Sequence, residues 1–378
     1  MGKGDFVAGA AGVAGVGKEH HLKGGRGFRN PWPSFGFVPS FGDIITLLFG
    51  FGTAKDNTSS SDLNAAFKTP LKPDLEALNN PPSQSVQATW VGHATFLLQF
   101  DKVNVLTDPV WSDRCSPSAY VGPKRFVPVP FPIKDLPPVD VVIISHNHYD
   151  HLDTATVKAL GNKPLYLVPL GIKSWFTDLG ITNVVELDWW QEHKVSFPVG
   201  DSSRSLRAIC TPCQHFSGRG LLDRNKTLWC SWVLEGPSKK IYFGGDTGFC
   251  TVPKGSDYAG GDPELATVKA DGTKVEFPVC PSFAEIGNRF GPFDAAFLPI
   301  GAYSPRFFMS AIHCSPEDAV GIHLAVRAKR SIGMHWGTFK LTDEAILEPP
   351  VRLEKELARL KLDPLSFITV KHGETKCL

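Results

Sequence analysis

The chain has 378 residues, 39 basic and 38 acidic, for a formal net charge of +1. That balance argues against an electrostatic nucleic-acid binder, which carries a basic excess, and a hydrophobic content of 42% excludes a largely disordered chain. The 36 Gly and 31 Pro predict ordered loops around a sheet core, and the eight scattered cysteines read as reduced thiols rather than a disulfide framework.

In chain order, residues 1–27 read as a flexible N-terminus. Its apolar run is Gly-rich and preceded by Asp5, a poor signal peptide, and Phe6 stands where a myristoylation pattern needs Ser or Thr. Few acids and several Lys/Arg in this region are compatible with a mitochondrial transit sequence. Residues 28–85 read as an apolar, aromatic segment followed by a Pro/Ser-rich linker. The segment either packs on the domain or meets a membrane surface through Phe35, Phe37, Phe41, Ile44, Ile45, Leu47, Leu48 and Phe49. Nothing reaches the roughly 18 unbroken apolar residues of a transmembrane helix.

Residues 86–378 read as one large domain. "ATWVGHATFLLQF" (88–100) and "VNVLTDPVW" (103–111) predict a β-hairpin around "DK", and "VDVVIISH" (139–146) a buried strand. Asp153 N-caps a short helix over 153–161, and strands follow at 164–170, 183–190 and 193–199. A second set of strands covers 205–215, 227–236, 240–248, 294–303 and 331–339. A helix over 315–330 starts with Ser315 at N-cap and Pro316 at N1, and a last helix (350–362) and strand (367–372) close the chain. Residues 251–279 read as an irregular surface excursion. Strands in runs with interspersed helices predict an α+β fold of two sheets between helical layers. "CTPC" at Cys210 and Cys213 reads as two semi-buried strand thiols rather than a zinc or redox pair.

One stretch stands apart. "SHNHYDHLD" puts His146, His148, Asp150 and His151 directly behind a buried strand, where polar groups are held rigidly yet open to ligand. His146 and His148 are spaced to chelate one ion, with Asp150 and His151 serving a second. Imidazole and carboxylate together suit zinc, and also iron or manganese. His215, Asp246 and His335 likewise end or interrupt apolar runs. A lone histidine at a strand end is more often a structural hydrogen-bonding residue; seven ligand-type residues in this order outweigh that reading.

"NPWPSF", "TWVGHATFLLQF", "LTDPVW", "GPKRF", "SHNHYDHLD", "LDWWQEH", "QHFSGRG", "GGDTGFC", "FGPFDAAFLPIGAYSPRFFM" and "HWGTF" resemble the N-acylphosphatidylethanolamine-hydrolysing phospholipase D family of the metallo-β-lactamase superfamily, from about residue 26 to 376. The likeness departs at 251–279 and at the extreme N-terminus. It implies a four-layer αββα sandwich with two zinc ions at one edge. One ion would be held by His146, His148 and His215 and the other by Asp150, His151 and His335, with Asp246 bridging. Asp108 would support the metal loop, and His313 matches a family histidine near the site, with a helix-entry hydrogen bond as its equal alternative. Tyr149, Lys124, Arg125 and Arg219 are candidates for substrate or lipid contact, with Arg224 and Lys226 as further phosphate candidates, though each such charge is more often a solvated surface one.

The resemblance further implies hydrolysis of N-acylphosphatidylethanolamine to N-acylethanolamine and phosphatidic acid through a hydroxide bridging two metals, with Asp150, Asp246 and His313 in catalytic roles. The expected setting is an intracellular membrane surface, endomembrane or mitochondrial, with a homodimeric protein and no nucleic-acid partner. The alternative keeps the metals and takes a soluble substrate such as a phosphorylated lactone.

Overall fold

The strand sequences are apolar on both faces, the pattern of strands covered on both sides, and the architecture follows from it. The computed structural model describes residues 18–36, 69–118, 120–199, 202–220, 222–252 and 278–378. Strands β1 (Gln87–Gly92), β2 (Thr95–Phe100), β3 (Val103–Thr107), β4 (Val141–Ile143), β5 (Leu165–Pro169) and β6 (Val184–Leu187) lie side by side. The second sheet contains β7 (Glu192–Val199), β8 (Ser202–Thr211), β9 (Ser231–Glu235), β10 (Lys240–Phe243), β11 (Ala295–Pro299), β12 (Ser331–Met334) and β13 (Phe367–Ile368). β14 (Thr375–Cys377) returns to pair with β1, so each sheet has seven strands among the described residues.

Side-chain alternation sorts the layers. Phe96, Leu98, Val105, Val141, Ile143 and Leu167 join the core shared with Ile241, Phe243 and Phe297 of the second sheet. Their neighbours Leu97, Leu106, Val142, Tyr166 and Val168 pack instead with Val157 of α1 (Thr154–Leu160) and Phe176 of α2 (Lys173–Asp178). Beyond the second sheet, α3 (Ser282–Phe290), α4 (Pro316–Ala325) and α5 (Glu348–Arg359) contribute Phe283, Ile286, Val320, Ile322, Leu353 and Leu357. The result is the expected four-layer αββα sandwich. Asp153 caps α1 by accepting from Ala155 N, and Ser315 caps α4 in a reciprocal capping box with Asp318.

Three readings change. Residues 88–100 are two strands, not one: the chain reverses at His93 and Ala94, with Gly92 (φ 130°) and His93 (φ 54°) in the left-handed region. The expected hairpin at Asp101 and Lys102 (φ 48° and 64°) then follows. Second, residues 18–27 are docked where they are described, not flexible. His20 and His21 bond the two oxygens of Asp188 at 2.7 and 2.8 Å, and His20 stacks on Trp189 at 4.2 Å. Phe28 is buried and Trp32 stacks on Trp189 at 5.3 Å, so packing is the reading that holds for 28–36. Of the eight membrane-contact candidates only the half-buried Phe35 lies within the described residues, and 253–277 also fall outside them. Third, Cys210 and Cys213 are fully buried rather than semi-buried, and burial pushes the Cys213 thiol well up.

His323 of α4 offers a test of packing. It is buried, shares a 2.7 Å hydrogen bond with Ser331 Oγ, and burial pushes its imidazole down to about 4. The unfolded chain, with an imidazole pKa of about 6.5, therefore binds a proton that the folded chain refuses. Stability is accordingly expected to fall as pH drops from about 6.5 towards 4. His323→Gln should flatten that slope by about one proton, worth about 2 kcal/mol between pH 7.5 and 5 in urea melts.

Candidate metal centre

The C-terminal ends of β3, β4, β8, β10 and β12 meet on one rim, where open sheets of this kind present their ligand-binding loops. Asp108 follows β3, the 145–151 loop follows β4, His215 follows β8, Asp246 follows β10 and His335 follows β12. Asp108 (φ 33°) and His335 (φ 63°) sit in the strained left-handed region, as side chains re-aimed by a tight strand exit do. Gly245 (φ 59°) permits a close approach of the two sheets at the rim: a Cβ there would lie 2.6 Å from Ser145 Cβ.

All seven expected donors converge. His146 Nε2 and His215 Nε2 lie 2.7 and 3.4 Å from His148 Nδ1, and each is 3.8 Å from Asp246 Oδ2. On the other side, His151 Nε2 and His335 Nε2 are both 3.5 Å from Asp150 Oδ2 and 3.1 Å from Asp246 Oδ2. Four donors around a zinc with bonds of about 2.0–2.1 Å stand about 3.3 Å apart, so this second set has the separations of a tetrahedral cage. Asp246 Oδ2 is common to both sets, as the bridging position requires. His151 Nε2, His335 Nε2 and Asp246 Oδ1 are buried without a hydrogen-bond partner, and such orphans are what a metal satisfies.

Three of the outer nitrogens are occupied, while His335 Nδ1 has no hydrogen-bond partner. His151 Nδ1 meets Asp108 Oδ2 at 2.8 Å, His215 Nδ1 meets the Ile312 carbonyl at 2.8 Å, and His146 Nδ1 meets Ser145 Oγ at 2.9 Å. These bonds leave Nε2 of each ring facing inward, the usual support of metal-binding imidazoles. Asp108 also accepts from Ser145 N (2.7 Å) and Oγ (2.5 Å), so it ties the metal loop to β3 as expected.

Electrostatics agree. Burial pushes His148 down to about 4 and His146 and His215 well below their ordinary value, which keeps them bare. Burial alone would raise the Asp246 carboxyl, but His151 and His335 outweigh it and hold it well below the usual range. In return, against the pull of burial, Asp246 and Asp150 raise His151 well above its ordinary value and His335 to about 9. The buried Asp246 and the half-buried Asp150 carboxylates demand positive charge here, from protons or from metal.

Comparison with known proteins places this rim in a family. A profile described as "Beta-lactamase superfamily domain" matches residues 103–276 and 272–336. N-acyl-phosphatidylethanolamine-hydrolyzing phospholipase D 1 of Caenorhabditis elegans is 36% identical over 365 residues, covering 93% of each chain. The chain belongs to this phospholipase D family of the β-lactamase superfamily. A second member of the family, the mitochondrial N-acyl-phosphatidylethanolamine-hydrolyzing phospholipase D of Saccharomyces cerevisiae, is 34% identical over 71% of this chain and 51% of its own length. Among solved structures, the isothiocyanate hydrolase from Delia radicum gut bacteria shares the fold at TM-score 0.53 and 19% identity, over 77% of this chain and 99% of that one. Membership of the family makes the chain a metal-dependent hydrolase.

Around the family's metal loop the remaining candidates divide. His313 does enter the centre: it is buried, its Nδ1 has no hydrogen-bond partner and stands 3.9 Å from Asp246 Oδ2, and its ring is 5.1 Å from that of His215. Arg125, expected to meet phosphate, is instead buried and donates Nε and Nη2 to the carbonyls of Ser112 and Val110, with Nη1 left without a hydrogen-bond partner. Arg219 donates to the carbonyls of Asn147 and Leu152 at 2.9 and 2.8 Å and lies 4.0 Å above the Tyr149 ring. Tyr149 OH in turn donates to the Arg219 carbonyl, so this pair braces the metal loop. Lys124 remains exposed. The residue that sequence reasoning missed is His93, whose Nε2 is 2.8 Å from Asp150 Oδ2. Gly92 before it was the available signal.

Proposed function

We propose that this chain is a dinuclear zinc phosphodiesterase of phospholipase D type, which releases N-acylethanolamine and phosphatidic acid from N-acylphosphatidylethanolamine at a membrane surface. The observation that carries the reading is a complete set of five imidazoles and two carboxylates on one rim, in a chain that aligns along 93% of its length with a phospholipase of that name. His146, His148 and His215 would hold one ion, Asp150, His151 and His335 the other, and Asp246 would serve both. The buried orphan atoms at this rim fit such ions. When bound, they supply Lewis acidity towards the phosphoryl oxygens and a water whose pKa is lowered to roughly 7. Residues 86–378 form the catalytic unit in this reading.

The protein's own side chains do the rest. Asp246 supplies negative charge between the two donor sets. His313, pushed down to about 3 by burial, is neutral at pH 7, and its unpartnered Nδ1 is free to hydrogen-bond water or substrate. With Arg125 and Arg219 committed to backbone carbonyls, Arg224 takes over as the phosphate contact. It is exposed, stands 4.3 Å over the Phe216 ring, and that ring lies 4.5 Å from His148.

Lipid approach is assigned to the loops beside the metal loop. Ser112–Ser118 and Arg219 line a cleft with Tyr149, and the tips that continue them expose Tyr120 (88%), Val121 (70%) and Leu222 (93%). No helix among the described residues is long and apolar enough to cross a membrane. Residues 37–68 are proposed to add to the lipid contact.

The test is incubation of the metal-loaded protein with N-acylphosphatidylethanolamine in detergent micelles, with products identified by mass spectrometry. N-acylethanolamine and phosphatidic acid in equal amounts are expected. Intact lipid in the presence of two bound metals would move a soluble phosphorylated lactone to the front. Replacing 37–68 with a flexible linker leaves the docked 20–36 arm in place. It should weaken sedimentation with liposomes and spare a soluble diester; unchanged sedimentation would reject a membrane role for that segment.

A further inference from the structure

Two buried imidazoles against the centre, His93 and His313, belong to neither donor set, and His93 is the one in hydrogen-bond contact with a donor. We propose that it is a positioning residue for the second ion alone, and this inference rests on the two-ion reading above. Its backbone is fixed first. His93 N donates to Thr338 Oγ1 at 2.7 Å, and its carbonyl accepts from Trp90 Nε1 at 2.9 Å and from His335 N at 3.2 Å. The side chain is 1% exposed, and its ring centroid lies 4.0 Å from that of His335 and 5.2 Å from that of Phe339.

The Nε2 contact with Asp150 Oδ2, at 2.8 Å, is shorter than the 3.5 Å that separates that oxygen from His151 and from His335. An ionised carboxylate only accepts, so His93 Nε2–H is the donor in a hydrogen bond of ordinary length. His93 therefore steers one ligand through its side chain and a second through its carbonyl. Those ligands come from opposite sheets: Asp150 follows β4, and His335 follows β12. The turn between β1 and β2 thus ties the sheets together at the second ion. Nothing comparable joins His93 to His146, His148 or His215, so the first ion lies outside its reach.

The two ions should then respond unequally. Removing an outer partner of a metal ligand typically costs about 10–100-fold in affinity. Cobalt or zinc titrations of the wild type, followed by metal analysis and the visible Co(II) spectrum, should show two equivalents. His93→Ala should keep one equivalent at wild-type affinity and weaken the other about 10–100-fold. His93→Gln, which restores an N–H at similar reach, should recover most of it. His93→Phe fills the volume without donating and should behave as His93→Ala does; it serves as the test variant if the alanine protein does not fold. The retained equivalent reports that the fold is intact. Two equivalents within threefold of wild type in both His93→Ala and His93→Phe would overturn the proposal, as would equal weakening of both. Fewer than two equivalents in the wild type would overturn the two-ion reading itself.

Discussion

Asp246→Asn is expected to cut turnover of a soluble phosphodiester by about a thousandfold or more, without loss of the fold. Asp246 Oδ2 lies between 3.1 and 3.9 Å from nitrogens of His146, His151, His215, His313 and His335. A carboxamide has the same size but no charge, and half of it donates hydrogen bonds where the centre offers mostly donors or bare nitrogens. Two dications on either side would then face each other with one fewer compensating charge, a repulsion that low-dielectric surroundings magnify. Kinetics together with metal analysis make the check. Activity within tenfold of wild type, with metal content unchanged, would remove Asp246 from the bridging role.

Stripping the metal is expected to lower the melting temperature on the order of 10 °C and to abolish activity, both reversed by added zinc. An ion at about a thousandfold above its dissociation constant stabilises by about 4 kcal/mol per site. Unfolding entropy at roughly 2.1 cal/mol/K per residue makes each kcal/mol worth a little over 1 °C in a chain this long. The centre has reason to gain that much, since it holds the buried Asp246 carboxylate, at 2% exposure, and the half-buried Asp150 among rings that burial drives to the bare form. Metal must displace the protons that Asp246 and Asp150 hold on His151 and His335. Affinity should therefore rise with pH from 7 to 9 and uptake should release protons. Scanning calorimetry of chelator-treated and zinc-restored protein reads the effect; melting within 1 °C in the two states would argue that the rim holds no metal tightly.

Much of this centre was legible because its ligands crowd one loop or punctuate apolar runs. "HNHYDH" cannot be core, and His215, Asp246 and His335 each end a strand that alternation identifies. His93 escaped for the opposite reason. It sits between apolar runs that read as one strand, and only the backbone reversal at Gly92 and His93 swings its ring to the rim. Arg125 and Arg219 escaped because a sequence does not distinguish a solvated guanidinium from one that satisfies carbonyls inside a loop. The arm escaped because the partner of His20 is 168 residues away, a distance over which no local pattern reaches. The fold class survived these errors because it depends on the period of many strands, whereas the site depends on single turns.

The pairing of Cys250 with Val279, reinforced by Cys280 N donating to the Phe249 carbonyl at 2.7 Å, holds the two described ends of the 251–278 stretch together at a single point. With the ends held together, doubling the length between them costs only about 0.6 kcal/mol in closure entropy. The stretch between them can therefore be lengthened, shortened or exchanged as a cassette, and a reporter domain spliced between the clasped ends should leave the sandwich folded.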